Sequence, residues 1–146
     1  AAALERLAGA DTLLIDKTGT LTEGRPSVVA VLPEQGETAE GLLRLAAGAE
    51  AASEHPLARA VVAEAARRGI APPPQEGFES LPGAGVRARV EGRWVEAGRA
   101  PESAVPEHPE ATIVCVRTDG RVVGHLVLRD PVKPGAAEAV RELQSL

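Results

Sequence analysis

Seven consecutive residues, Asp16-Lys17-Thr18-Gly19-Thr20-Leu21-Thr22, set a carboxylate, an ammonium, three hydroxyls and a glycine directly behind the apolar run Leu13-Leu14-Ile15. A carboxylate can act as a nucleophile and form an aspartyl phosphate. Lys17 adds positive charge beside it, and Thr18, Gly19 and Thr20 offer hydroxyls and backbone N–H groups able to surround phosphate oxygens. A lone Asp-Lys-Thr would be an ordinary strand-ending turn. The full heptapeptide makes Asp16, Lys17 and Thr18 candidate catalytic residues.

A second cluster is Glu50, Ser53, Glu54, His55 and Pro56. A carboxylate at a buried edge can accept from the exocyclic amine of adenine. A histidine at a helix start can donate to phosphate or pack against a purine. Taken singly, such residues more often form a polar bend between helices. The third cluster, Gly83-x-Gly85, does not fit a dinucleotide fingerprint: a strand follows it where a helix is needed, and Ala88 stands where the last glycine belongs. It suits close approach of backbone to a ligand, or a plain turn leading into a strand.

Residues 16–22, DKTGTLT, resemble the phosphorylation signature of the P-type ATPases at all seven positions, and those pumps belong with the haloacid dehalogenase-like phosphotransferases. Phosphatases of that group carry a second Asp two residues after the nucleophile, where Thr18 stands here. The resemblance therefore implies a phosphoenzyme that persists, and a pump in preference to a soluble phosphatase, which is the alternative. Ser53-Glu54-His55-Pro56-Leu57 resembles the SEHPL motif of the heavy-metal-transporting class, with Glu50 at that class's spacing. It is similar to copper exporters more than to zinc or cadmium pumps, the other alternative. The resemblance implies ATP held by Glu50, His55, Gly83, Gly85 and, more weakly, Gly98, where that class has Gly-Asn and this chain has Gly98-Arg99. It implies magnesium (Mg2+) at Asp16 and Thr18 in the full-length protein only. Asp130-Pro131-Val132-Lys133 is similar to the Asp-x-x-Lys that marks the return into the phosphorylation domain.

These residues need elements to position them. The run over residues 12–15 reads as a buried strand delivering Asp16, after a short helical turn at residues 2–8. Residues 27–32 read as a strand. Two helices follow, one over residues 38–52 with Thr38 as N-cap, the other from His55 to near Gly69 with Pro56 in its first turn. Their buried stripes are Leu42, Leu45, Ala46 and Ala49, and Leu57, Ala60, Val61 and Ala65. A stiff Ala71-Pro72-Pro73-Pro74 connector leads to a half-buried strand at Val86, Ala88 and Val90, which turns at Gly92 into a hairpin. Strands at 112–117 and 121–128 flank an Asp119-Gly120 turn, and a helix follows Pro134.

This order predicts an α+β fold: an antiparallel sheet flanked by a helical hairpin, plus an incomplete piece of an α/β haloacid dehalogenase-like domain. The expected divisions are residues 1–23 and 130–146 for the phosphorylation domain, incomplete, and 24–129 for the nucleotide-binding domain. A net charge of -5 with scattered Lys and Arg argues against nucleic acid. No run approaches the roughly 18 apolar residues of a membrane span. Cys115 stands alone in an apolar strand, with no Cys-x-x-Cys and no Met, so the transported metal is not expected to bind here. The expectation is a cytoplasmic, ATP-binding part of a larger metal pump, inactive alone, whose partners are ATP and the rest of that pump.

Overall fold

The computed structural model describes residues 9–145, so the helical turn expected at residues 2–8 lies outside the described residues. The chain divides into two units, Arg25–Asp130 and, from the two ends, Ala1–Gly24 with Pro131–Leu146.

The larger unit is a six-stranded antiparallel sheet with two helices. Its elements are β1 (Ser27–Pro33), α1 (Ala39–Glu50), α2 (Pro56–Arg67), β2 (Gln75–Leu81), β3 (Gly85–Val90), β4 (Arg93–Ala100), β5 (Thr112–Thr118) and β6 (Arg121–Arg129). The strand order is β1-β6-β5-β4-β3-β2, so only β1, which pairs with β6, is out of sequence. Tight turns drive this meander. Glu91-Gly92 and Asp119-Gly120 all lie at positive φ, the backbone that two-residue hairpin turns demand and that glycine meets without strain.

Thr38 caps α1 by accepting from the Gly41 amide at 2.9 Å. The helix then buries Leu42, Leu43, Leu45 and a run of small residues, Ala46, Ala47, Gly48 and Ala49. The small run lets the helix axis press on the sheet: a Cβ on Gly48 would lie 2.9 Å from Val90. Val61 and Ala65 of α2 join the same core, which the sheet completes with Val86, Ala88, Val90, Val95, Val116, Leu126 and Leu128. Each of the larger side chains contributes roughly 1.5–3 kcal/mol by leaving water. A smaller cluster of Val105, Ala111, Ile113 and Val127 packs with Ala30, Leu32 and Ala100.

Two features depart from the sequence expectation. The strand expected at residues 12–15 does not form. Leu13, Leu14 and Ile15 are 56%, 93% and 36% exposed. A strand needs a neighbour to take its ladder of hydrogen bonds, and in the described part of that unit the only strand-like pairing is the bridge Thr22 to Val132. Conversely, β2 was not expected. It is the sheet edge, carries Glu76 and Glu79 outward and is interrupted by a register shift between them, so no alternation marks it in the sequence.

In the smaller unit, the end segments form a wide turn at Lys17–Leu21 and helix α3 (Ala136–Gln144). The Glu23 amide donates to the Pro131 carbonyl at 2.8 Å and the Lys133 amide to the Leu21 carbonyl at 2.8 Å, an antiparallel clasp between the two segments.

Candidate nucleotide cleft and phosphorylation turn

A cleft of about 300 Å³ opens in the larger unit where the α1–α2 bend meets the start of β3 and the middle of β4. It collects Glu50 from the end of α1, Ser53 and His55 from the bend, Gly83 from the turn before β3, Gly85 from the first position of β3, and Gly98 and Arg99 from β4. Leu57, Val86 and Val114 supply apolar wall. A small, mostly apolar cleft with a few convergent polar groups is the usual form of a small-molecule site. All five residues expected to hold nucleotide line this one cleft.

Glu50 ends α1 and is 7% exposed. Burial pushes its carboxyl pKa up to about 7, because the ionised form loses its water without gaining a partner. His55 is the N-cap of α2: its Nδ1 accepts from the Leu57 amide at 3.2 Å, while Pro56 has no amide to satisfy. An accepting Nδ1 carries no proton, so the proton of the neutral ring sits on Nε2, the atom left to donate elsewhere. The Ser53 hydroxyl oxygen accepts from the His55 amide at 3.3 Å and holds the bend.

The glycines divide by cause. Gly83 has φ +73 with open space around it. Gly85 and Gly98 face each other across the β3–β4 ladder: a Cβ on Gly85 would lie 2.1 Å from the Ala97 carbonyl oxygen, and one on Gly98 the same distance from that of Ala84. Their close approach is met within the protein backbone itself. Arg99 is exposed at the cleft and has no ion pair among the described residues. Trp94 lies away from the cleft, with Arg87 stacked 4.8 Å from its ring centroid. Phe78 is partly buried against the core. Cys115 is buried in β5, where loss of water raises its thiol pKa.

Asp16, Lys17 and Thr18 lie together in the smaller unit, all exposed, with Asp16 in extended backbone just before the turn. The turn is tied by buried Thr22. Its hydroxyl oxygen accepts from the Gly19 amide at 3.1 Å, and its own amide donates to the Lys17 carbonyl at 3.1 Å. The Lys133 ammonium donates to the Gly19 carbonyl at 2.9 Å, a tie between distant segments that sequence reasoning did not foresee. In the larger unit, Asp130 Oδ1 accepts from the Arg25 amide at 3.0 Å. Asp16 is the one carboxylate of residues 16–22, and no group of three or more His, Cys, Asp or Glu able to hold a metal occurs among the described residues. Magnesium takes six oxygens in near-octahedral order, so Asp16 and Thr18 do not make a magnesium site by themselves.

A family profile described as haloacid dehalogenase-like hydrolase matches residues 10–146. The chain is 44% identical over 156 residues to a probable cobalt/nickel-exporting P-type ATPase of Mycobacterium tuberculosis, an alignment covering 100% of this chain and 24% of that protein. It is 40% identical over 151 residues to a probable copper-exporting P-type ATPase V of the same species, covering 93% of this chain and 20% of the other. Among solved structures, the catalytic domain of the CPx-ATPase CopB-B, from work on its conformational changes upon nucleotide binding, superposes with a TM-score of 0.75. The identity there is 26%, over 99% of this chain and 52% of that one. The chain spans about a quarter of the length of the curated relatives it matches, 24% and 20% in these two cases. No helix among the described residues is long and apolar enough to cross a membrane.

Proposed function

The chain belongs to the haloacid dehalogenase-like hydrolases and, within them, to the heavy-metal P-type ATPases, and we propose that it is the part of such a pump that binds ATP and carries the aspartate receiving the γ-phosphate. The observation that carries this reading is the meeting of Glu50, His55, Gly83, Gly85 and Gly98, from three separate stretches of sequence, around one cleft. Adenine is to lie on the apolar wall with its amine toward Glu50, and His55 Nε2 and Arg99 are to face the phosphates. Oxygen of Asp16 attacks the γ-phosphorus in line, ADP leaves, and the thermodynamic work of transport is done elsewhere in the pump. Thr18, with a hydroxyl in place of a second carboxylate, offers no general base for water, which favours a phosphoenzyme over a soluble phosphatase.

In this proposal residues 1–23 and 130–146 belong to the phosphorylation domain, residues 24–129 form the nucleotide-binding domain, and both lie on the cytoplasmic side. Magnesium is proposed only with the complete phosphorylation domain. Copper, the cargo expected from residues 53–57, remains a proposal beside cobalt and nickel, named for a relative of somewhat higher identity.

The test is twofold. The 146-residue chain should bind ATP and not turn it over. The full-length protein should take label from γ-labelled ATP in an acid-stable, hydroxylamine-sensitive bond that Asp16→Asn abolishes. Label that survives Asp16→Asn, or robust phosphate-ester hydrolysis by the chain alone, refutes the reading.

A further inference from the structure

Glu50 is held in a way that a simple hydrogen-bond acceptor would not need. It closes the cleft from the last position of α1, 7% exposed, and its carboxyl has neither hydrogen bond nor ion pair among the described residues. Two effects oppose a negative charge there. Burial removes its water, and the C-terminal end of a helix is the negative end of the helix dipole. The other side chains lining the cleft that can carry a proton or a charge are His55, from the bend, and Arg99, from β4. Neither is paired with Glu50. From β3 the cleft receives Gly85 and Val86, from β5 Val114, from α2 Leu57 and Ala58, and from residues 80–84 no ionisable group.

The adenine edge offers a donor, the N6 amine, beside an acceptor, N1. A carboxylate can satisfy only the first, and its second oxygen would face the N1 lone pair from a buried position, an uncompensated repulsion. A carboxylic acid carries one donor and one acceptor side by side and matches both. We propose that Glu50 meets adenine as a neutral carboxylic acid, its O–H donating to N1 and its other oxygen accepting from N6, so that nucleotide enters the cleft together with one proton. The proton comes from solvent, and no other bond is made or broken. This rests on the reading of the cleft as an ATP site and adds its regulation: affinity for ATP falls as pH rises above neutrality. The pKa of about 7 places the group where that coupling is felt.

Calorimetric titration of the 146-residue chain with ATP at about pH 8, in buffers of different ionisation enthalpy, counts the protons taken up. The wild-type chain is expected to take up close to one proton per ATP more than Glu50→Gln, and its affinity to fall toward tenfold per pH unit above about pH 7. Glu50→Gln has an amide donor and acceptor in the same places and carries no titratable proton, so its affinity should show no such fall. Protons exchanged by ATP itself and by the rest of the chain enter both titrations and cancel in the difference. Equal uptake by the two proteins, with parallel affinity profiles, overturns the inference while ATP binding itself survives. Absence of ATP binding at every pH overturns the nucleotide reading and this inference with it.

Discussion

Replacing His55 by alanine removes two things at once, the acceptor that caps α2 and the ring N–H proposed to reach the nucleotide. The cap is the 3.2 Å bond from the Leu57 amide to Nδ1, and with Pro56 ahead of it Leu57 has the first amide of the helix. Losing such a cap costs about 1 kcal/mol, or about 4–6 °C in Tm for a domain near this size. A hydrogen bond from a ring N–H to a charged phosphate contributes about 1.5–3 kcal/mol, so the ATP Kd should rise by about 10- to 150-fold. His55→Asn separates the two effects. Its Oδ1 can take the place of Nδ1 over the Leu57 amide, and nothing takes the place of Nε2. Thermal melts and ATP titrations on the three proteins should show stability returning in His55→Asn while affinity stays low. If His55→Asn regains affinity along with stability, the ring serves only as a cap, and the assignment of His55 to the nucleotide is wrong.

Other perturbations follow from the same geometry. Gly98→Ala should destabilise the larger unit by 2 kcal/mol or so, since its Cβ would lie 2.1 Å from the Ala84 oxygen, whereas Gly83→Ala, in open space, should cost about 1 kcal/mol for its positive φ alone; urea titrations would rank them. Glu64 is bonded by Arg67 and Arg68, and the hydrogen bonds from Arg67, then that from Arg68, lead in holding its pKa down to about 2 against the opposing effect of burial. That lowered value gives stability present above the unfolded pKa of 4.5 and lost as pH falls toward about 2, so Glu64→Gln should flatten the acid limb of a stability profile. Glu50 has the opposite sign: its folded pKa of about 7 lies above 4.5, so the unliganded chain should lose stability as pH rises between them. Glu50→Gln should remove that slope, a gain of at most about 3 kcal/mol at pH 8 that chemical denaturation can measure.

The fold class and the candidate residues were both legible in the sequence where the signal is local. Residues 16–22 and 53–57 are local signatures, and the alternation of Val86, Ala88 and Val90 with Arg87 and Arg89 is enough to read β3, since period-two burial is a local property. The Asp119-Gly120 turn was likewise readable because its positive φ values follow from residue type. What was not local was not readable. Leu13, Leu14 and Ile15 have the composition of a buried strand, yet strand formation depends on neighbours. Edge strand β2 has no periodicity to betray it. Gly98 was assigned to the ligand, and only the register of β3 against β4 reveals that the Ala84 carbonyl occupies its side-chain space. The raised pKa of Glu50 comes from burial between α1 and the sheet, a property of packing that no motif encodes.

The measurement that bears most directly on the account is an ATP titration of the isotopically labelled chain followed by amide NMR. The account predicts saturable shifts concentrated at residues 50–57, 80–86 and 97–99, the stretches that line the cleft, with the amides of β1 and α3 unmoved. Shifts that fail to saturate, or that gather anywhere else in the chain, would contradict it.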